Sequence, residues 1–278
     1  MKITNVTAVY FSPAGTTKKV VEEAAAACAG ELGTRCSVFD FTLPDSREES
    51  VEFAENDLIV FGVPVYAGRI PNKILPEIRR IFKGKDSLAV PVVTFGNRSY
   101  DNALIELRNE LEQLGFHTIA GGAFVSEHVF SKKLAPGRPD PEDMNQVRTF
   151  ACQAARLAGQ AVSFPEPVRV RGVEPIPPYY QPLGMDGKPA RFLKAKPKIT
   201  EACTGCGKCL KVCPMGSIRD EAGWKVEGIC IKCQACLKVC PVQAIYFDDP
   251  AFLSHIAMLE NNYSRRAENE VFFSTYVS

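Results

Sequence analysis

The sequence has one tryptophan and three histidines, and its 33 basic residues nearly balance its 32 acidic ones, leaving a net charge of +1. That balance gives no electrostatic basis for binding nucleic acid or an anionic membrane. No apolar run approaches the length of a membrane span. The opening stretch, Met1 to Tyr10, alternates like a strand and lacks the apolar core and cleavage site of an export signal. The expected setting is therefore the reducing cytoplasm. His117, His128 and His255 are scattered, without the His/carboxylate spacing of a metal site or a triad, and His128 is expected at or near the surface. A hydrophobic content of 46% and a charged content of 23% are ordinary for a globular chain. With 278 residues, there is room for two domains.

What is abundant is cysteine, 11 in all, and eight of them form one pattern written twice. The first copy is Cys203-Thr-Gly-Cys206-Gly-Lys-Cys209-Leu-Lys-Val-Cys213-Pro214. The second is Cys230-Ile-Lys-Cys233-Gln-Ala-Cys236-Leu-Lys-Val-Cys240-Pro241, so the repeat period is the offset from Cys203 to Cys230. Three thiols spaced three apart on a tight loop suit three corners of a cubane. Each closing proline turns the chain after its fourth cysteine. Zinc and disulfides are the alternatives, but zinc has no use for the duplicated Cys-Leu-Lys-Val-Cys-Pro. The run resembles that of bacterial two-cluster ferredoxins, in which the fourth cysteine of each run ligates the other cluster. The resemblance implies two [4Fe–4S] clusters and one-electron chemistry. One cluster would take Cys203, Cys206, Cys209 and Cys240, and the other Cys230, Cys233, Cys236 and Cys213. The remaining Cys28, Cys36 and Cys152 are expected to be buried thiols.

Residues 1–162 alternate apolar runs with helical patterns. Strands are expected at Val6–Phe11, Thr34–Phe39, Asp57–Val63, Ser87–Phe95 and Thr118–Phe124. Helices are expected at Thr16–Ala29, at about Asn72–Phe82 and Asn102–Leu114, and near Glu142–Ala161. Near-continuous apolar strands alternating with helices imply an α/β fold with a parallel sheet covered on both faces. Five such strands fit a doubly wound sheet of flavodoxin-like order 2-1-3-4-5. Residues 163–198 read as an extended, proline-rich connector, with eight prolines between Phe164 and Lys198. Its basic end, Arg191, Lys194, Lys196 and Lys198, reads as a solvated face in preference to a docking site for an acidic partner. Residues 199–248 hold the cluster repeat, a small α+β unit, and Glu221–Lys225 reads as a short hairpin. In residues 249–278, Phe252, Ile256, Leu259 and Tyr263 recur at helical spacing, as expected of a tail helix packed on the protein's own body.

Three loops at the carboxyl ends of the strands form a second candidate site. The first, Ser12-Pro13-Ala14-Gly15-Thr16-Thr17, is rich in hydroxyls and enters a helix N-terminus, an arrangement suited to a phosphate. A plain helix cap by Ser12 or Thr16 is the alternative. No lysine completes a Walker motif. The second loop is Pro64-Val65-Tyr66-Ala67-Gly68 and the third runs from Thr94, Phe95, Gly96 and Asn97 to Tyr100 and Asp101. Each offers glycine for close backbone approach and a tyrosine able to stack on a flat ring.

Residues 1–162 resemble the flavodoxin family, and the whole chain looks like the flavodoxin–ferredoxin fusion proteins of anaerobic bacteria and archaea. Ser12, Gly15 and Thr17 match the family's phosphate-loop pattern, Ser/Thr-x-Thr-Gly-x-Thr, and Ala14 replaces its middle threonine. The resemblance implies FMN, with Tyr66 and Tyr100 flanking its ring and backbone groups of Ala67, Gly68, Gly96 and Asn97 at its polar edge. The expected function is electron transfer between clusters and FMN, coupling one-electron and two-electron carriers. The expected partners are redox proteins, and a homodimer is compatible with the sequence. The competing expectations are a reductase of a specific small molecule at FMN, and a sensory module whose clusters report redox state.

Overall fold

The computed structural model describes residues 2–161, 164, 166–220 and 223–275. The expected boundary at 162 and 163, and Glu221 and Ala222 of the expected hairpin, lie outside the described residues. Five strands build the central sheet: β1 (Asn5–Tyr10), β2 (Arg35–Asp40), β3 (Asp57–Pro64), β4 (Ser87–Phe95) and β5 (Ala120–Val125). They run parallel in the order 2-1-3-4-5. All nine residues of β4 are buried, as a central strand covered on both faces requires.

Helices α1 (Thr16–Leu32) and α4 (Pro141–Gln160) cover one face, and α2 (Leu75–Ile81) and α3 (Ala103–Gln113) the other. On the first face Val20, Val21 and Ala24 of α1 meet Phe150, Ala151 and Ala154 of α4 over Val60 and Val92. The second face is aromatic: Phe41, Phe61 and Phe82 pack edge to face or tilted, with centroids 5.0–5.6 Å apart. Gly62 sets how closely α1 approaches, because a Cβ there would fall 2.2 Å from Val21 Cγ2. The start of α1, and the loop before it, are thereby held against the end of β3.

The structure departs from expectation in four places. The fifth strand is split: Phe116–Thr118 pairs with the start of β4, and β5 pairs with its end. The helix expected from Asn72 begins only at Leu75, because Pro76 sits at its first turn, and Phe82–Gly84 leaves it to pair with Val51–Phe53. Cys28 is buried but Cys36 is exposed, because β2 is an edge strand facing outward along most of its length. The tail is not helical throughout. After the helix Pro250–Asn262, residues Glu270–Phe273 add a sixth strand antiparallel to β5. That tail strand covers an edge that would otherwise present unpaired backbone groups.

The tail is anchored along its length. Asn97 Nδ2 donates to the carbonyls of Tyr263 (2.6 Å) and Arg265 (2.7 Å), and its Oδ1 accepts from the Ala267 N–H (3.2 Å). Arg138 donates to the Ala267 carbonyl and pairs with Asp143, both side chains being buried. Asn269 bridges the β5 backbone to Asp143. Burial alone would raise the Asp143 carboxyl, but Arg138, the Asp140 amide and Asn269 outweigh it and hold the group at about 2. The tail helix packs as expected, with Phe252 buried among Phe130, Phe192 and Phe247. The connector is extended but not free. It hydrogen-bonds the α/β domain through Val168 N–H to Thr118 O (3.0 Å), Arg69 Nη1 to Pro177 O (2.9 Å) and Tyr179 Oη to Ile70 O (2.9 Å). Its last residue, Lys198, belongs to a two-residue strand paired with Ile245–Tyr246, and Lys196 donates to the Val226 carbonyl.

Removing Arg138 would leave a buried carboxylate unpaired. Arg138→Ala is expected to destabilise the α/β domain by about 3–5 kcal/mol, measured by urea unfolding at pH 7. Because the folded-state pKa of Asp143 is depressed, its contribution is present above about pH 4 and lost as pH falls toward 2. The difference between wild type and Arg138→Ala should narrow over that window.

Candidate redox site

The eight repeat cysteines fall into two cavities. One is lined by Cys203, Cys206, Cys209 and Cys240, the other by Cys213, Cys230, Cys233 and Cys236. Each cavity thus draws three thiols from one run and the fourth from the other. Short helices, Lys208–Lys211 and Ala235–Val239, carry the third cysteine of each run. Gly207 (φ +68°) and Gln234 (φ +58°) turn the chain just before them. Two two-stranded sheets, Ile218–Arg219 with Lys225–Val226 and Lys198–Ile199 with Ile245–Tyr246, close the unit around a small core containing Ile218 and Ile245.

The two cavities differ in exposure. Cys203 and Cys206 of the first are exposed, and Thr204, Gly205, Lys208 and Asp220 line it. Their equivalents in the second copy are Ile231, Lys232, Ala235 and Phe247, and these line the second cavity, whose Cys233 is buried. We call these the outer and inner cavities. Burial pushes the Cys233 and Cys236 thiols up to about 12, with neighbouring thiols adding to the effect. Hydrogen-bond donors already point at several sulfurs. The Ser217 and Ala244 N–H groups donate to Cys213 (3.3 Å) and Cys240 (3.2 Å), the Gly205 N–H to Cys203 (3.4 Å), and Trp224 Nε1–H to Cys209 (3.2 Å). Among the described residues no three metal-ligating side chains converge on a point where one ion would sit. Each cavity is lined by four thiols, the number of cysteine ligands that one [4Fe–4S] cluster takes.

The inner cavity abuts the α/β domain. Met215 and Ile231 pack on that domain's second core face together with Val65. Arg47 donates to the Pro214 carbonyl (2.7 Å), and Lys238 Nζ reaches the Ala14 carbonyl (3.5 Å) in the first loop. Tyr66 follows Val65 in the second loop. Burial, and then the thiols of Cys233 and Cys230, raise its phenol well above the ordinary value.

The three loops do lie together at the carboxyl ends of β1, β3 and β4, but their side chains are used unequally. In the first, Ser12 Oγ accepts from the Lys18 N–H (2.8 Å), taking up one free amide in the first turn of α1, whose N-cap is Gly15. Gly15 (φ +84°) opens the helix, and a Cβ there would meet nothing within 4 Å. The Thr16 and Thr17 amides, in the first helical turn, have no intrahelical acceptor. The Thr17 hydroxyl is buried against that of Thr94 (2.7 Å), so both are turned inward. In the second loop, Tyr66 and Arg69 exchange backbone hydrogen bonds (2.9 and 3.1 Å) around Ala67 (φ +49°) and Gly68 (φ +77°). Two consecutive positive φ values define a tight primed turn. A Cβ on Gly68 would lie 2.2 Å from Asp101 Oδ2, so only glycine lets the second and third loops touch.

The third loop departs most from expectation. Tyr100 is fully buried beside Phe95, its hydroxyl donates to Glu270 (2.7 Å), and Arg171 lies over its ring. In this position it does not present a face to a flavin. The Asn97 side chain is spent on the tail. Gly96 is backed by the His128 ring, which a Cβ on Gly96 would approach to 2.4 Å. Desolvation, with His255 and Arg98 adding, lowers the His128 pKa to about 4. Asp101 pairs with Arg98, whose guanidinium sits 4.0 Å over the ring of Tyr180. Tyr180 comes from the connector, and its N–H donates to the Ala67 carbonyl (2.9 Å). It was missed in the sequence because nothing local marks a tyrosine in a proline-rich stretch as neighbour to a loop so far back in the chain.

Residues 202–245 match the family model for the 4Fe-4S dicluster domain. No curated protein sequence matches the chain. Among solved structures it is similar to a flavodoxin from the domain Archaea, at 13% identity and TM-score 0.39, covering 55% of this chain and 96% of that one. It is also similar to the apo form of the NADH:FMN oxidoreductase EMOB, at 18% identity and TM-score 0.42, covering 58% and 93%. A flavodoxin of Streptococcus pneumoniae TIGR4 aligns at 16% identity and TM-score 0.39, covering 55% and 98%. No helix among the described residues is long and apolar enough to cross a membrane. The 2-1-3-4-5 parallel order of its own strands and the match over its cysteine repeat agree: this chain joins a flavodoxin-like α/β domain to a 4Fe–4S dicluster domain.

Proposed function

We propose that the chain is an electron-transfer iron–sulfur flavoprotein relaying electrons between two [4Fe–4S] clusters and FMN, from residues of a single chain. The observation that carries this reading is that the second four-cysteine cavity packs on the α/β domain, where Met215 and Ile231 of its lining share a core face with Val65 of the second loop. Cys203, Cys206, Cys209 and Cys240 would hold the outer cluster, and Cys213, Cys230, Cys233 and Cys236 the inner one. The Thr16 and Thr17 amides at the start of α1 would receive the FMN phosphate. Tyr66 and the backbone of Ala67, Gly68 and Gly96 would bound its ring. Lys238 stands near Ala14, where the family's threonine is missing, and its ammonium would offset phosphate charge. When bound, FMN takes one or two electrons and each cluster takes one, so the assembly couples the two kinds of carrier. The protein excludes water from the inner cysteines, orients the loops and holds the two sites together.

A second reading is favoured by Tyr180. The connector crosses the Ala67 turn, and the Arg98–Tyr180 pair narrows access to the loops. A covered flavin suits reduction of a small molecule better than exchange with a large protein partner. Steady-state reduction of one-electron protein acceptors by the wild type and by Tyr180→Ala separates the two. Faster exchange in the variant supports a gated reductase, and an unchanged rate supports the carrier.

Anaerobic reconstitution should load two clusters of four irons each and one FMN per chain, counted by iron, sulfide and flavin assay. A chain that saturates at half that iron, or takes no FMN, overturns the reading. After pulsed reduction of the clusters, electron arrival at FMN should follow first-order kinetics at a rate independent of protein concentration. A rate that scales with concentration would mean transfer between molecules. Lys238→Ala should weaken FMN about two- to fivefold, the range of an exposed charge contact, and leave riboflavin, which lacks the phosphate, unchanged.

A further inference from the structure

The repeat is nearly symmetric, and the break in that symmetry falls on a sulfur. Cys209 and Cys236 are equivalent, one repeat period apart, each on its short helix and each lining its own cavity. The backbone donors to Cys213 and Cys240 also obey the repeat, since Ser217 and Ala244 are separated by the same period. Among the described residues, Cys209 alone of the equivalent pair accepts from a side-chain donor, the Nε1–H of Trp224 at 3.2 Å. Trp224 is half-buried in the small core and lines the outer cavity. Its equivalent one period earlier is Pro197, which lines the inner cavity. Proline has no N–H of any kind to offer a sulfur.

Resting on the cluster assignment above, we propose that Trp224 is a positioning residue that tunes the outer cluster: its indole N–H, donated to Cys209, raises the reduction potential of the cluster held by Cys203, Cys206, Cys209 and Cys240. Reduction adds negative charge that is shared with the ligating sulfurs. A hydrogen bond to sulfur is therefore stronger in the reduced state and favours it. Hydrogen bonds to the sulfurs are among the main determinants of iron–sulfur potentials. The inner cluster, with Pro197 at the matching place, lacks this contribution. The two clusters thus become distinguishable through a difference written into the repeat itself. Because the chain has a single tryptophan, the residue can be addressed without ambiguity.

The test uses the full-length holoprotein. Trp224→Phe keeps a ring of similar shape and removes the N–H. In a redox titration followed by electron paramagnetic resonance, one cluster of Trp224→Phe should move to lower potential while the other cluster and FMN stay where they were. Both clusters moving together, or neither moving, overturns the proposal. If the variant does not load, the unaltered chain carrying [15N-indole]tryptophan decides. Pulsed resonance should then detect 15N coupling at one reduced cluster, and absence of coupling at both overturns the proposal. Failure to find two clusters by iron count would instead overturn the cluster assignment, and is read from a different measurement.

Discussion

The inner half of the cluster domain is governed by one electrostatic constraint: its cysteines are placed where water solvates a thiolate poorly. Burial pushes Cys233 and Cys236 up to about 12, so as bare thiols they stay protonated and neutral at physiological pH. A strong positive charge inside the cavity would reverse that preference, and the iron of a bound cluster would supply it. The domain's own core, centred on Ile218 and Ile245, is small. Units with so little core commonly fold only with their metal. Ligand binding, folding of the repeat, and seating of Met215 and Ile231 on the α/β domain are therefore coupled.

A second constraint acts at the other end of the site. The third loop has no regular structure of its own, and its shape is imposed by the tail. Asn97 donates to two tail carbonyls and accepts one tail amide, while Tyr100 is locked by Glu270. The buried Arg138–Asp143 pair sits behind this clamp and fixes Ala267 and Asn269. Such a pair specifies an arrangement more than it adds stability. Here it fixes how the tail strand approaches the loops.

What the sequence made legible follows from these physics. The five parallel strands were readable because a strand buried on both faces must be apolar almost throughout. The cysteine repeat was readable because its spacing is a ligand pattern, and the family model for a 4Fe-4S dicluster domain matches it. The failures within the site are cases where a side chain's partner is remote in sequence. Tyr100 looked like a ring-stacking tyrosine, and its partner Glu270 lies 170 positions away. Thr17 matched a phosphate-loop position, yet its hydroxyl found Thr94. The tail strand itself is too short for periodicity to announce. Trp224 stood beside the repeat, but only the fold shows its N–H meeting Cys209.

The sixth strand has a topological consequence. The chain leaves the sheet after β5 and α4, builds the connector and the cluster repeat, and then returns to lie beside β5. The cluster domain is therefore an insertion within the flavodoxin-like domain, and not a bead on its end. A bead on a string samples a volume set by linker length, whereas a module fixed at both its entry and its exit does not. The separation between inner cysteines and loops is then a property of packing, not of polymer statistics. It also means the two modules cannot be parted by a single cut: a fragment ending at α4 would lose the strand that seals its sheet and the clamp that shapes its third loop.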